Sequence, residues 1–254
     1  MRIYLFQIIM SLFFIISSIT LCEAQSLKLT ENRNITLSGG YVNSWLTGKL
    51  VDDWKDMSKD IYSEDVMTSR DDFFIGLSYL FATENDLVQF ETGLRYVHRG
   101  WVWWDEKLPT YDDQGDLIWL IDSSALERLQ YLDFYANYKP GFQLPIPYLK
   151  IAPFAGLGLS YLLEASRTGK YYNILNESSY WIPRFSTSDE YYRWNLFMQF
   201  GVELIIKDFV SLGIEYNRSF NTMIKPFDGN EYWEDDYKPK ADINSLQLSL
   251  GLKF

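Results

Sequence analysis

The chain has 254 residues, room for one or two ordinary domains, and a formal net charge of -11 that counts against any partner with a phosphate backbone, nucleic acid above all. One Cys and one His leave no intrachain disulfide framework and almost no scope for a Cys/His zinc site. Aromatic residues reach 18%, with 9 Trp and 19 Tyr, which suits a surface that meets both water and an apolar phase.

The chain begins MRIYLFQIIMSLFFIISSITLCEAQS. Arg2 supplies a basic start, Ile8 to Ile19 is almost wholly apolar, and Cys22-Glu23-Ala24 offers small residues where a signal peptidase reads. Residues 1–24 are therefore expected to be a cleaved secretion signal, and residues 25–254 a single domain. No later run approaches 18 consecutive apolar residues, so no helical span is expected there.

From residue 34 onward the sequence alternates with a period of two. The first run, 34–46, is the least regular. The second, 73–81, sets Ile75, Leu77, Tyr79 and Phe81 against Gly76 and Ser78. In 88–100, Val88, Phe90, Leu94 and Tyr96 alternate with Glu91, Gly93, Arg95 and Arg99. Runs at 131–139 and 147–163 follow, then 194–205 and 209–220, separated only by a hairpin-length connection at Lys207-Asp208. The last run, 243–254, places Leu246, Leu248, Leu250, Leu252 and Phe254 on one face.

These are eight strands joined alternately by short turns and by loops of about twenty residues, which is long for a compact soluble domain. The polar phase mixes glycines with charges, and the other phase is a nearly unbroken band of Leu, Ile, Val, Phe, Tyr and Ala. On a soluble exterior that band is a liability; facing lipid it matches its solvent. The expected fold is an all-β, eight-stranded antiparallel up-and-down transmembrane β-barrel in the cell outer membrane. Short periplasmic turns should lie at one end and four long extracellular loops at the other. Closure would pair the last strand with the first and remove both edges.

The segments ETGLRYVHRGW, YLDFYANYK, PYLKIAPFAGLGLSYLL and LSLGLKF resemble the porin-like or PorT-like outer-membrane barrels of Bacteroidetes-type, Gram-negative bacteria. The resemblance covers nearly the whole mature chain and implies an eight-stranded barrel without naming a substrate. PorT itself is associated with secretion across the outer membrane. Eight strands leave an interior filled by side chains, unlike the wide water-filled porins.

Glu91, Arg95, Asp133, Lys150, Arg193, Glu203 and Glu215 share the inward phase. Confined charges of both signs should pair, giving an ion-pair network that plugs the lumen. His98 falls in phase with Leu94 and Tyr96, so an interfacial role is expected rather than catalysis. Gly156-Leu157-Gly158 sits mid-strand and is read as lumen-facing glycine, not as a phosphate loop. The acidic segments 51–60, 104–116 and 233–238 lack the spacing of a calcium loop, so neither metal nor cofactor is expected. Strand-top tryptophans should form a girdle, whereas Trp119, Trp181 and Trp233, read as lying deep in loops, form a candidate contact surface for an extracellular glycan or protein. Phe254 is the expected signal to the barrel-assembly machinery. The expected role is structural or interactional rather than enzymatic, with a narrow channel or secretion-associated component as the alternative.

Overall fold

The computed structural model describes residues 34–49, 51–52, 67–82, 89–111, 117–173, 178–225 and 240–254. The signal peptide expected at 1–24, and Trp233 with its acidic segment, lie outside the described residues. Among the described residues there are ten strands: β1 (Ile35–Thr47), β2 (Met67–Ala82), β3 (Gln89–Tyr111), β4 (Leu117–Tyr138), β5 (Phe142–Gln143), β6 (Leu149–Asn173), β7 (Ser178–Ser186), β8 (Trp194–Ile206), β9 (Val210–Ser219) and β10 (Asp242–Lys253). Eight of them are staves of a closed barrel in the order β4-β3-β2-β1-β10-β9-β8-β6, with β4 pairing β6 to complete the ring. Every pairing is antiparallel.

The two-residue period holds the register. Thr36 pairs with Lys253 and Thr47 with Asp242 along the seam between β1 and β10. At its base the Ile35 amide donates to the Phe254 carbonyl (3.2 Å), and the Phe254 amide returns a bond to the Ile35 carbonyl (2.8 Å). The β8–β9 turn is a tight hairpin in which Lys207 and Asp208 both take positive φ, 52° and 53°, as the right-handed strand twist requires of a primed turn.

Outward positions carry the apolar band. Ile75, Leu77, Phe81, Phe90, Leu94, Phe134, Leu157, Leu196, Phe200, Ile214, Leu246 and Leu248 are all exposed, Leu157 to 63%. Asp133, Ser160, Gln199 and Gln247 are buried, between 0% and 1% exposed. That is the inversion of a soluble barrel. An open apolar surface of this extent is stable only against lipid, and closure leaves no stave edge unpaired there.

Two of the expected long loops are not loops. The β3–β4 ladder continues from Phe90↔Tyr138 to Tyr111↔Leu117, and β6 climbs to Asn173, where it pairs with β7. β3 has 23 residues, β4 has 22 and β6 has 25, against 13, 10 and 12 for β8, β9 and β10. A span needs about 9–11 residues. Three adjacent staves therefore rise far above the bilayer on one side of the barrel. Trp119 belongs to β4 and Trp181 to β7, so neither lies in an irregular loop.

Candidate functional site

The lumen is filled in three tiers. At the periplasmic end Lys139 Nζ reaches Glu91 Oε2 (3.0 Å) and Glu203 Oε2 (2.6 Å), with Lys253 Nζ 3.9 Å from Glu203. Ser78 donates its hydroxyl to Glu91 (2.7 Å). In the middle tier Arg95 bridges Glu215 (2.7 Å), Asp133 (3.4 Å) and the Gln247 side-chain oxygen (2.8 Å). Arg99 closes on Asp133 at 2.6 Å, and Ser160 donates to the other oxygen of the same carboxylate at 2.6 Å. Four cations thus meet four carboxylates, and the wall of the lumen is electrically balanced. Charges removed from water are tolerated only when paired and hydrogen-bonded in this way.

Aromatic rings share the same space. Arg95 stacks between Phe74 and Tyr135 (5.5 and 5.2 Å), and Arg99 between Tyr131 and Phe197 (5.4 and 5.6 Å). Glycines on the facing staves leave room: a Cβ at Gly93 would overlap the Tyr135 ring, and one at Gly158 the Phe197 ring. The inward glycine at 158 is thus confirmed, with the reason for it. A cavity of about 50 Å³ opens on the periplasmic half beside Glu91, Arg95, Lys139 and Glu203. Its size suits a few water molecules.

The third tier is apolar. Val42, Leu46, Val97, Trp101, Leu129 and Leu162 pack with Tyr191, Met223, Ile224 and Ile243 to seal the extracellular mouth. Above it Glu127, fully buried, accepts from Arg167 Nε (2.7 Å) and from the Thr187 hydroxyl (2.6 Å), and Arg167 extends to Glu190 (2.8 Å). Burial pulls the Arg167 guanidinium down, but Glu127 outweighs it and holds it above the usual range. Burial, reinforced by Glu127, pushes the Tyr191 phenol well up.

Of the seven charges expected in the lumen network, Glu91, Arg95, Asp133, Glu203 and Glu215 are brought together. Lys150 shares their phase but sits at the periplasmic rim, paired with the exposed Asp208 at 3.1 Å. Arg193 lies outside the network. It is exposed and donates to the carbonyls of Leu162 and Leu163, because β8 begins only at Trp194. Arg99, Lys139 and Lys253 belong to the network and were not expected there. All three carried the inward phase in the sequence, Lys139 with Asp133 and Asn137, and Lys253 with Gln247 and Gly251.

His98 faces outward, as its phase implied. Its Nδ1 lies 3.3 Å from Asp72 and its Nε2 2.7 Å from the Tyr96 hydroxyl. Trp181 is 74% exposed and carries Lys170 over its ring at 5.5 Å; Tyr180 and Phe185 on the same strand are also exposed. Among the described residues no cluster of His, Cys, Asp and Glu is placed to hold a metal, and no helix is long and apolar enough to cross a membrane.

Closure, an apolar exterior belt and a charge-paired interior define an eight-stave transmembrane barrel, a protein of the outer membrane. No protein-family model matches the chain, and no curated protein matches it. Among solved structures, neisserial surface protein A is 13% identical, covering 87% of this chain and 97% of that one at a TM-score of 0.40. Ail, the attachment invasion locus protein of Yersinia pestis, is 12% identical over 88% and 100% at 0.36. OprG from Pseudomonas aeruginosa is 12% identical over 90% and 99% at 0.35. The class assigned here rests on the chain's own closure and its own belt.

Proposed function

We propose that this protein is a sealed outer-membrane anchor that presents the raised β3–β4 and β6–β7 hairpins as an interaction surface, without enzymatic activity. The observation that carries this reading is the contrast between a lumen filled along its height and three adjacent staves extended beyond the bilayer. The partner we propose is an extracellular glycan or protein engaged through aromatic contacts, with Trp181 at their centre. Aromatic faces supply large contact area at low entropic cost, which suits either partner. The chain's place among porin-like, PorT-like barrels of Gram-negative bacteria, its export by the segment 1–24 and its delivery through Phe254 to the barrel-assembly machinery are parts of the same proposal.

Two measurements test it. In planar bilayers the folded protein should show no steady open conductance; a steady open state would make it a narrow channel instead. A photo-crosslinking residue at position 181, in native outer membranes, should capture an extracellular partner, whereas one at position 157, within the lipid belt, should capture none. Equal labelling from both positions would remove the interaction reading.

A further inference from the structure

The turn that joins β4 to β6 at the periplasmic end differs in character from the one that joins β8 to β9. The latter shows Lys207 and Asp208 to solvent, whereas residues 142–149 read Phe-Gln-Leu-Pro-Ile-Pro-Tyr-Leu, without a charge. Ile146 is 59% exposed and Tyr148 71%, and Phe142 is exposed above them.

The ladder fixes where these side chains stand. Tyr138 pairs with Ala155, and after Pro140-Gly141 the short strand β5 resumes the same register, Phe142 with Ile151 and Gln143 with Lys150. Ile151 shares the outward phase of Ala155 and Leu157, while Ala152 is turned inward and buried. Phe142 therefore continues the lipid belt downward, below Phe90 and Tyr138, whose rings meet at 5.7 Å on the same outer surface. An apolar patch continuous with a lipid-facing surface has lipid as its nearest matching phase.

The backbone of the tip suits the same surroundings. Pro145 and Pro147 carry no N–H. Gln143 turns its side-chain amide nitrogen to the carbonyls of Leu144 (3.4 Å), Ile146 (3.4 Å) and Leu149 (3.1 Å). The Leu144 amide donates to the Leu149 carbonyl (2.9 Å), and the Tyr148 carbonyl accepts from the Lys207 amide (2.7 Å). In water, solvent would pair these groups; against lipid the chain must pair them itself.

We propose that residues 142–148 form a foot that embeds in the headgroup–acyl boundary of the periplasmic leaflet, with Ile146 and Tyr148 at its tip. The partner is the lipid surface itself. Because the foot lies under β4 and β6, it grips the membrane on the side that carries the raised ladder.

The test places a nitroxide on single cysteines at 146 and 148 of the full folded chain, with C22S as background, in vesicles of phosphatidylcholine and phosphatidylglycerol. Labels at 157, in the belt, and at 208, on the solvated turn, set the two limits. Collisions with oxygen, which concentrates among acyl chains, are compared with collisions with a water-soluble nickel chelate. The oxygen-to-nickel ratio at 146 and 148 should exceed that at 208 severalfold and approach that at 157; either position alone gives the reading. I146D, read with the label at 148, should lower the ratio severalfold and leave heat-shifted electrophoretic mobility unchanged. Ratios at 146 and 148 equal to that at 208 would overturn the foot, because the tip would stand in water. Protection from both reagents would overturn the lipid partner and indicate a second copy covering the turn. An unchanged ratio in I146D would overturn the tip as the part that holds the membrane.

Discussion

Arginine, aromatic ring and glycine recur together inside this barrel, and the three depend on one another. Arg99 lies between Tyr131 and Phe197, and Phe197 fits only because residue 158 has no side chain. Gly158→Ala should therefore destabilise the barrel by about 1–3 kcal/mol, as overpacking does. Adding Phe197→Leu should recover most of the loss, read from denaturant midpoints of refolding into vesicles. Asp133 is the hub of the middle tier, with Arg95, Arg99 and Ser160 all directed at it. Asp133→Ala leaves buried Arg99 without its carboxylate partner and Arg95 with Glu215 as its remaining counter-charge. It should cost about 3–5 kcal/mol in the same measurement. The Lys150–Asp208 pair at the solvated rim is a contrast: Lys150→Ala should shift the midpoint by less than about 1 kcal/mol.

At the scale of the strand, alternation told most where one face meets lipid. Leu246, Leu248, Ile214, Leu196 and Ile75 all lie on the side that their period assigns. Alternation failed in the upper ladder. Residues 104–126 mix Asp, Glu, Pro and Gly with Leu and Trp, so they read as loop, yet 104–111 and 117–126 continue the β3–β4 ladder. The pairing there is local, carried outward from a ladder already set below. The packing of the interior rings was also illegible. Phe74, Tyr135 and Phe197 fall in the inward phase, with Gly76, Asp133 and Gln199 respectively, but which glycine makes room for each ring shows only in the fold. Because the raised ladder grows from the barrel, it should be dispensable to it. Trp103 and Ala125 are register partners, so replacing residues 104–124 with Asn-Gly gives a two-residue hairpin. That shortened chain should keep its β circular dichroism and its heat-shifted electrophoretic mobility; loss of both would mean that the upper ladder is needed for closure.

The whole molecule is polarised in two directions. Radially, lipid-facing side chains surround a balanced charged interior. Single-tryptophan variants report this directly: Trp194, 52% exposed and outward, should be quenched by brominated lipid, and Trp101, 1% exposed in the apolar tier, should not. Vertically, the tall staves β3, β4 and β6 stand together, and the short staves β8, β9, β10 and β1 stand opposite them. The tall staves are neighbours in the chain or separated by one turn. The join between β1 and β10 unites strands from opposite ends of the described chain. Closure entropy rises with the length of chain enclosed, and distant contacts come late in folding. Hairpins zip early, then, and the cylinder shuts by a single final stitch. Until that moment two raw flanks of the sheet are exposed, so the rate at which Ile35 finds Phe254 sets how long a nascent molecule stays vulnerable to pairing with a stranger.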